Sequence, residues 1–218
     1  MPLLVDRAAK RADIIQHAAE VFSRTGYHES KMQDIATHAE IGKGTIYEYF
    51  RTKEELFLAV YDSWMTSFED LVKMSVDAAG DAMSKVDAIR DSAVEFYSSR
   101  AQQAPLLLEF WAHALRADNP KFLERIQSTR TFLNELGKGL TQQLVDAGWF
   151  SAIDAEAFAL LESGMSDGIF LAWVLGGQSF PLGKAYTFRQ SVIGIGLLTP
   201  MGRSVLEERL ASKLRKGF

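Results

Sequence analysis

Apolar residues in this chain recur three and four positions apart almost throughout, and nowhere do they alternate long enough to mark a half-buried strand. With only 5 prolines in 218 residues, little interrupts that period. Pro105, Pro120 and Pro200 each stand where a helix can open, since a first-turn proline gives up no intrahelical bond. The pattern therefore predicts an all-α fold.

The helices it predicts are of two kinds. A first runs over about Arg7–Arg24, with Ile14, Ile15, Ala18, Ala19 and Phe22 on one face and Gly26 as its stop. Ser30 is placed to cap a short second helix that carries Ile35, Ala36 and Ala39, with Gln33 returning a capping-box contact. A third follows Ile41 with Thr45, Ile46, Tyr47, Tyr49 and Phe50. Three helices this short make a helix-turn-helix outline. From Lys53 the helices lengthen: to about Ser75, then Ala82–Ala101, Pro105 to near Asn119, Pro120–Ala147, Asp154–Leu175, Lys184–Leu198, and Pro200 to about Lys213. The expected division is a reading module over residues 1–52 and a larger helical domain over 53–218.

With no cysteine at all, a disulfide scaffold, a cysteine nucleophile and a thiolate metal site are excluded. The four histidines (His17, His28, His38 and His113) are scattered, Asp167 has no histidine beside it, and no HExxH spacing occurs, so no metal site is expected. Gly176-Gly177 read as a helix stop and Gly194 and Gly196 lie inside a helical run, so no phosphate loop is seen and no cofactor is expected. No secretion signal is read at the start, and no apolar uncharged stretch approaches the length of a membrane span; a cytoplasmic location is expected.

Net charge is −4, which argues against a general nucleic-acid coat. The deficit is uneven. Residues 1–53 hold 8 Lys or Arg against 7 Asp or Glu, and the remainder 16 against 21. A locally basic module on an acidic body stays compatible with specific reading of DNA, the body suppressing indiscriminate binding.

Within the module, Gly42 and Gly44 flank Lys43 where the third helix begins, allowing close approach to a phosphate at a helix N-terminus. Thr45, Tyr47 and Tyr49 supply hydroxyls and rings toward a groove, and Lys53 opens the next helix within reach of a backbone phosphate. The run Phe22…Gly26-Tyr27…Ser30…Asp34-Ile35-Ala36…Ala39…Ile41-Gly42-Lys43-Gly44-Thr45-Ile46-Tyr47-Glu48-Tyr49-Phe50…Lys53-Glu54-Glu55-Leu56 resembles the DNA-binding signature of the TetR family of transcriptional regulators. The resemblance covers most of residues 7–60; beyond that only length and helix order are similar. It implies a homodimeric, all-helical regulator, most often a repressor, that leaves a palindromic double-stranded operator when a small molecule enters the larger domain. It also adds Ser30 and Lys31 to the DNA candidates Lys43, Gly44, Thr45, Tyr47, Tyr49 and Lys53. Two departures stand out: Glu40 where the family often has glycine in the turn, and Gly42 where it often has a Ser or Thr cap.

The larger domain is rich in rings. With the resemblance, Tyr61, Trp64, Phe68, Phe96, Tyr97, Phe110 and Trp111 are candidates to line an effector cavity. Arg100, His113, Arg125 and Thr129 are candidate polar anchors, for a hydrophobic or aromatic effector. Ala157, Leu160, Leu161, Gly164, Met165, Gly168, Ile169 and Ala172 form one small-and-apolar stripe and Ile193, Ile195, Leu197 and Leu198 a second, expected to pair two copies. Enzymatic function has no positive support. The alternatives left open are a helical small-molecule-binding protein that does not read DNA, and an enzyme on the same fold.

Overall fold

The computed structural model describes the backbone of residues 2–215 and the side chains of residues 7–208. Over these residues the elements are α1 (Pro2–Thr25), α2 (Met32–His38), α3 (Lys43–Tyr49), α4 (Lys53–Ala78), α5 (Ala82–Ser99), α6 (Ala104–Ala114), α7 (Lys121–Asp146), α8 (Ala155–Leu175), α9 (Leu182–Leu197) and α10 (Pro200–Arg215). One 3-10 turn, Ala101–Gln103, joins α5 to α6. The class is all-α, with the two short helices α2 and α3 following the long first one.

Two boundaries differ from expectation. α1 opens at Pro2, before Arg7, because nothing in the intervening residues breaks a helix and a proline suits its first turn. α6 closes at Ala114, well short of Asn119: the N–H groups of Arg116 and Ala117 both fold back onto the carbonyl of His113 (3.0 and 2.8 Å), which ends the last turn. Leu115, just past that end, is exposed.

The chain forms two compact units, residues 1–70 with 99–128 and residues 71–98 with 129–218. In the first, α1 buries the face read from its period, Ile14, Ile15, Ala18, Ala19 and Phe22. Phe57 of α4 sits amid a set of rings, stacked on Tyr27 (centroids 4.3 Å apart) and edge-on to Phe22 (5.3 Å), with Phe110 at 5.1 Å. Such ring pairs add about 0.5–1.5 kcal/mol each to the burial of their area, so this cluster binds α1, α4 and α6 into one body.

In the second unit, Phe170 of α8 stacks on Tyr97 of α5 (4.3 Å) and is fully buried. Asp154 caps α8, its Oδ1 accepting from the N–H groups of Glu156 and Ala157 (3.0 Å each). Gly148 takes a φ of 71° at the end of α7, where a side chain would be strained. The chain then doubles back, and an isolated antiparallel bridge joins Phe150 to Leu198.

Candidate nucleic-acid interface and effector residues

The geometry of the N-terminal module depends on how α2 ends and α3 begins. The N–H of Glu40 bonds to Thr37 O (3.2 Å) and that of Ile41 to Ala36 O (2.9 Å), the double closure of a Schellman motif. It requires a left-handed residue at position 40, and Glu40 adopts a φ of 53° there. The turn geometry implied by the family is thus kept by a residue that is not glycine, at a cost of about 1 kcal/mol. Glu40→Gly is expected to raise stability by a few tenths of a kcal/mol, at most about 0.6 kcal/mol, net of the added unfolded-state entropy, read as a higher urea midpoint at unchanged slope.

α3 opens at Gly42, which has extended backbone and no side chain to cap the helix. Ile46 and the following Phe50 are fully buried and pin this seven-residue helix to the module. The opposite side is free: Lys43, Gly44 and Tyr47 are exposed, and Thr45 and Tyr49 half-buried. Lys31 is exposed at the start of α2. The Arg7 guanidinium lies 5.8 Å from the Tyr49 ring centre and that of Arg11 lies 4.9 Å from the Phe50 ring.

Ser30 needs correction. It does not cap α2: the cap residue is Lys31, whose N–H donates to Asp34 Oδ2 (3.1 Å). Ser30 is 2% exposed, and its hydroxyl pairs with Gly26 O (2.5 Å) and Thr25 Oγ1 (2.6 Å), tying off the end of α1 instead. Gln33 turns to Thr37 Oγ1 (3.4 Å) instead of returning a capping contact. Lys53 is also drawn inward. Its ammonium donates to the carbonyls of Tyr27, His28 and Ser30 (2.7, 2.9 and 2.8 Å) and lies 4.5 Å from the Tyr27 ring centre. All three donors are used on the α1–α2 loop, and burial pulls the group below the ordinary lysine value.

The effector candidates divide between the units. Tyr61, Trp64, Phe68, Arg100, Phe110, Trp111, His113 and Arg125 lie in the first, and Phe96, Tyr97 and Thr129 in the second. Tyr61 and Phe110 stack nearly parallel with centroids 3.6 Å apart, each ring covering the other. Phe96, Phe68, Trp64 and Thr129 are buried. His113 is packed among the rings of Tyr27, Phe57 and Phe122, with Nε2 3.3 Å from Glu54 Oε1. Arg125 is matched by acids: Nε to Asp62 (2.6 Å) and Nη1 to Glu69 (2.8 Å). Burial opposes its charge, but those bonds hold the guanidinium above its ordinary value. Arg100 is pulled below the ordinary arginine value by burial.

One positioning contact had no local signal in the sequence. The N–H of Tyr27 donates to Glu109 Oε2 (2.8 Å), a carboxylate 82 residues away on α6, and the same carboxylate covers Gly26. Together with Lys53 it fixes the loop between α1 and α2.

In the second unit α8 is apolar yet little covered; of its most apolar 18 residues only 17% is buried. The exposed residues include Ala157, Leu161, Gly164, Gly168, Leu171 and Leu175, spaced alternately four and three apart. On α9 the exposed apolar residues are Phe188, Val192 and Ile195. Of the expected second stripe Ile195 is exposed and Ile193 and Leu197 are half-buried, while Leu198 is not part of it, because it turns in against Leu144 and Phe150. By length and composition α8 could cross a bilayer, but its inward side carries ion pairs, Glu162 to Arg189 (3.1 Å) and Asp167 to Arg130 (2.5 Å).

A short helix opened by glycine, pinned by two apolar residues and led by a Schellman turn, defines a helix-turn-helix module at the head of an all-helical chain. Residues 14–60 match the model of the family described as bacterial regulatory proteins, tetR family, and the fold is shared with a TetR transcription regulator from Haloarcula marismortui ATCC 43049, at a TM-score of 0.80 and 19% identity over 88% of this chain and 100% of that one. A fatty acid metabolism regulator protein of Bacillus subtilis (strain 168) is 25% identical over 174 residues, 79% of this chain and 88% of the relative. The structure of the regulator FadR from Bacillus subtilis in complex with stearoyl-CoA has a TM-score of 0.69 at 22% identity, over 81% of this chain and 93% of that one. A putative regulator from Saccharomonospora viridis in complex with choline has a TM-score of 0.79 at 17% identity, over 88% and 99%.

Proposed function

We propose that this protein is a homodimeric repressor that reads a palindromic operator through α3 and leaves it when an apolar or aromatic effector binds. The observation that carries the reading is the split character of α3, buried at Ile46 and open at Lys43, Gly44 and Tyr47. Lys43 and the helix N-terminus suit a phosphate, and Tyr47 suits base edges or the groove wall. Lys31 and Tyr49 flank this face as phosphate contacts. Lys53 contributes from behind, holding the loop that orients α2.

The effector proposal rests on the ring-rich larger helices and on the similarity to a regulator whose structure holds stearoyl-CoA. An apolar tail would satisfy such walls, and a charged or polar head would need an anchor such as Arg100. Effector binding would favour one dimer conformation over another and so alter the separation of the two α3 helices. A thermal-shift series with acyl-CoA esters of graded length, run beside choline, distinguishes the candidates. A shift with choline alone removes the acyl reading.

DNA selected from a random pool by the purified protein provides the operator. Against it, Tyr47→Ala is expected to cost ~1–3 kcal/mol, about 5- to 150-fold in affinity. Lys43→Ala is expected to weaken all sequences alike and to lessen the salt slope by about one. Both are measured by fluorescence anisotropy at several salt concentrations; a Tyr47→Ala protein that binds as tightly as the parent removes α3 as the reading helix. Lys53→Ala is the poorer probe, since it frees three loop carbonyls and disturbs the module itself.

A further inference from the structure

A cluster with metal-ligand chemistry stands where α1 meets α2. His17 and Glu20 are three residues apart on α1, hence on one face, and His38 is the last residue of α2. His38 Nε2 lies 2.7 Å from Glu20 Oε2. The rings of His17 and His38 meet edge to face with centroids 5.1 Å apart. One ligand atom from each of the three residues lies within 4.8 Å of the other two. Asp13, a turn earlier on α1, brings Oδ1 to 3.4 Å from His17 Nε2, while Lys10 holds its other oxygen at 2.7 Å.

A second observation sets this apart from an ordinary surface His–Glu pair. Nδ1 of His17 is fully buried and has no hydrogen-bond partner. Native structures rarely leave such an atom unsatisfied without a reason. The three side chains themselves remain 30–44% exposed, so a hydrated cation can reach them.

We propose that His17, Glu20 and His38 bind one divalent transition-metal ion of the zinc class per chain, linking α1 to α2. Two imidazoles and a carboxylate are a zinc-type donor set, whereas magnesium and calcium sites are built from oxygen. Bonds of about 2.0–2.2 Å in tetrahedral geometry need donor atoms roughly 3.4 Å apart. Ile14, Ala18, Ile35 and Ala36 hold the two helices in the core, so what must close to that spacing is the three side chains, which are only partly buried. Water completes the shell. The sequence conceals the site because His38 lies 18 residues beyond Glu20 and only the packing of α2 on α1 brings it back. Such an ion would brace the helix that precedes α3, and its binding does not depend on whether α3 reads DNA.

The test uses the full-length untagged protein and Zn2+ or Co2+ alone. Calorimetry is expected to give one Zn2+ per chain, and Co2+ the intense visible absorbance of a four-coordinate site. Glu20→Gln is expected to weaken binding by about tenfold or more, and His17→Gln with His38→Gln to abolish it, while His28→Gln and His113→Gln leave it unchanged. Glu20 is exposed, so that variant keeps its fold. A further readout needs no substitution: Zn2+ should shift the imidazole NMR signals of His17 and His38 and not those of His28 or His113. Absence of saturable binding at micromolar Zn2+, binding that survives loss of both His17 and His38, or shifts confined to His28 and His113 would each overturn the proposal.

Discussion

A protein carrying Leu161→Glu and Phe188→Glu is expected to elute as a monomer at micromolar concentration and to lose retention of its operator, while remaining fully helical. Both residues are more than half exposed in the single chain, so the chain's own packing does not need them. What they complete is a seam. Ala157, Leu161, Gly164, Gly168, Leu171 and Leu175 repeat at four and three along α8, the spacing that keeps one helix face on a partner. Gly164 and Gly168 leave open space beside that seam, which lets another helix approach closely. Burial of a large apolar side chain is worth roughly 1.5–3 kcal/mol, and twofold symmetry counts each substitution twice. Four lost burials amount to at least about 6 kcal/mol, or some four orders of magnitude in dimer Kd. Operator binding then falls further, because one chain reads one half-site only. Analytical ultracentrifugation and anisotropy on the selected duplex measure the two effects. A variant that stays dimeric places the twofold interface elsewhere.

That seam also marks how far the sequence could be read. The α8 stripe was legible in advance, since a helix period needs no tertiary knowledge. Its α9 counterpart was not, because Ile193, Leu197 and Leu198 look as apolar as Phe188 and Val192. Only the return of the chain at Phe150, which buries Leu198, decides which of them face out. The same contrast runs through the N-terminal module. The buried face of α1 and the stop at Gly26 follow from local rules and were legible, whereas the left-handed turn at Glu40 was not, since a glutamate there departs from the glycine the resemblance implies. Lys53 and Ser30 were not: both carry groups that suit a phosphate, and both are occupied by backbone carbonyls that folding brings to them. Glu109 could not be anticipated, since its partner lies 82 residues earlier. Periodicity thus reports which side of a helix is covered, and leaves open what a polar side chain meets.

Gly202→Ala is the second substitution expected to have a large effect, and it separates space from propensity. In a helix interior, alanine normally gains about 0.5–1 kcal/mol over glycine, and Gly139 in α7, with nothing within 4 Å of an added Cβ, should follow that rule. At Gly202 in α10 the added carbon would lie 2.2 Å from the carbonyl oxygen of Trp149 and 2.9 Å from Leu198 Cδ2. The carbonyl cannot swing aside, because it accepts the N–H of Thr199 at 3.0 Å. Thr199 in turn donates its hydroxyl to Gly148 O (2.6 Å) and accepts from the N–H of Gly202 itself (3.0 Å), so the loop and the start of α10 form one closed set. Relief of the clash requires α10 to leave that loop, which uncovers Leu198 and Phe150 and breaks these bonds. Two uncovered core residues and the lost hydrogen bonds cost about 3 kcal/mol or more. For a chain of this size that lowers Tm by roughly 6–12 °C. Differential scanning calorimetry on Gly202→Ala and Gly139→Ala together tests the argument, the first expected to fall and the second to rise. Equal shifts in the two would mean that α10 is not held against the Trp149 loop.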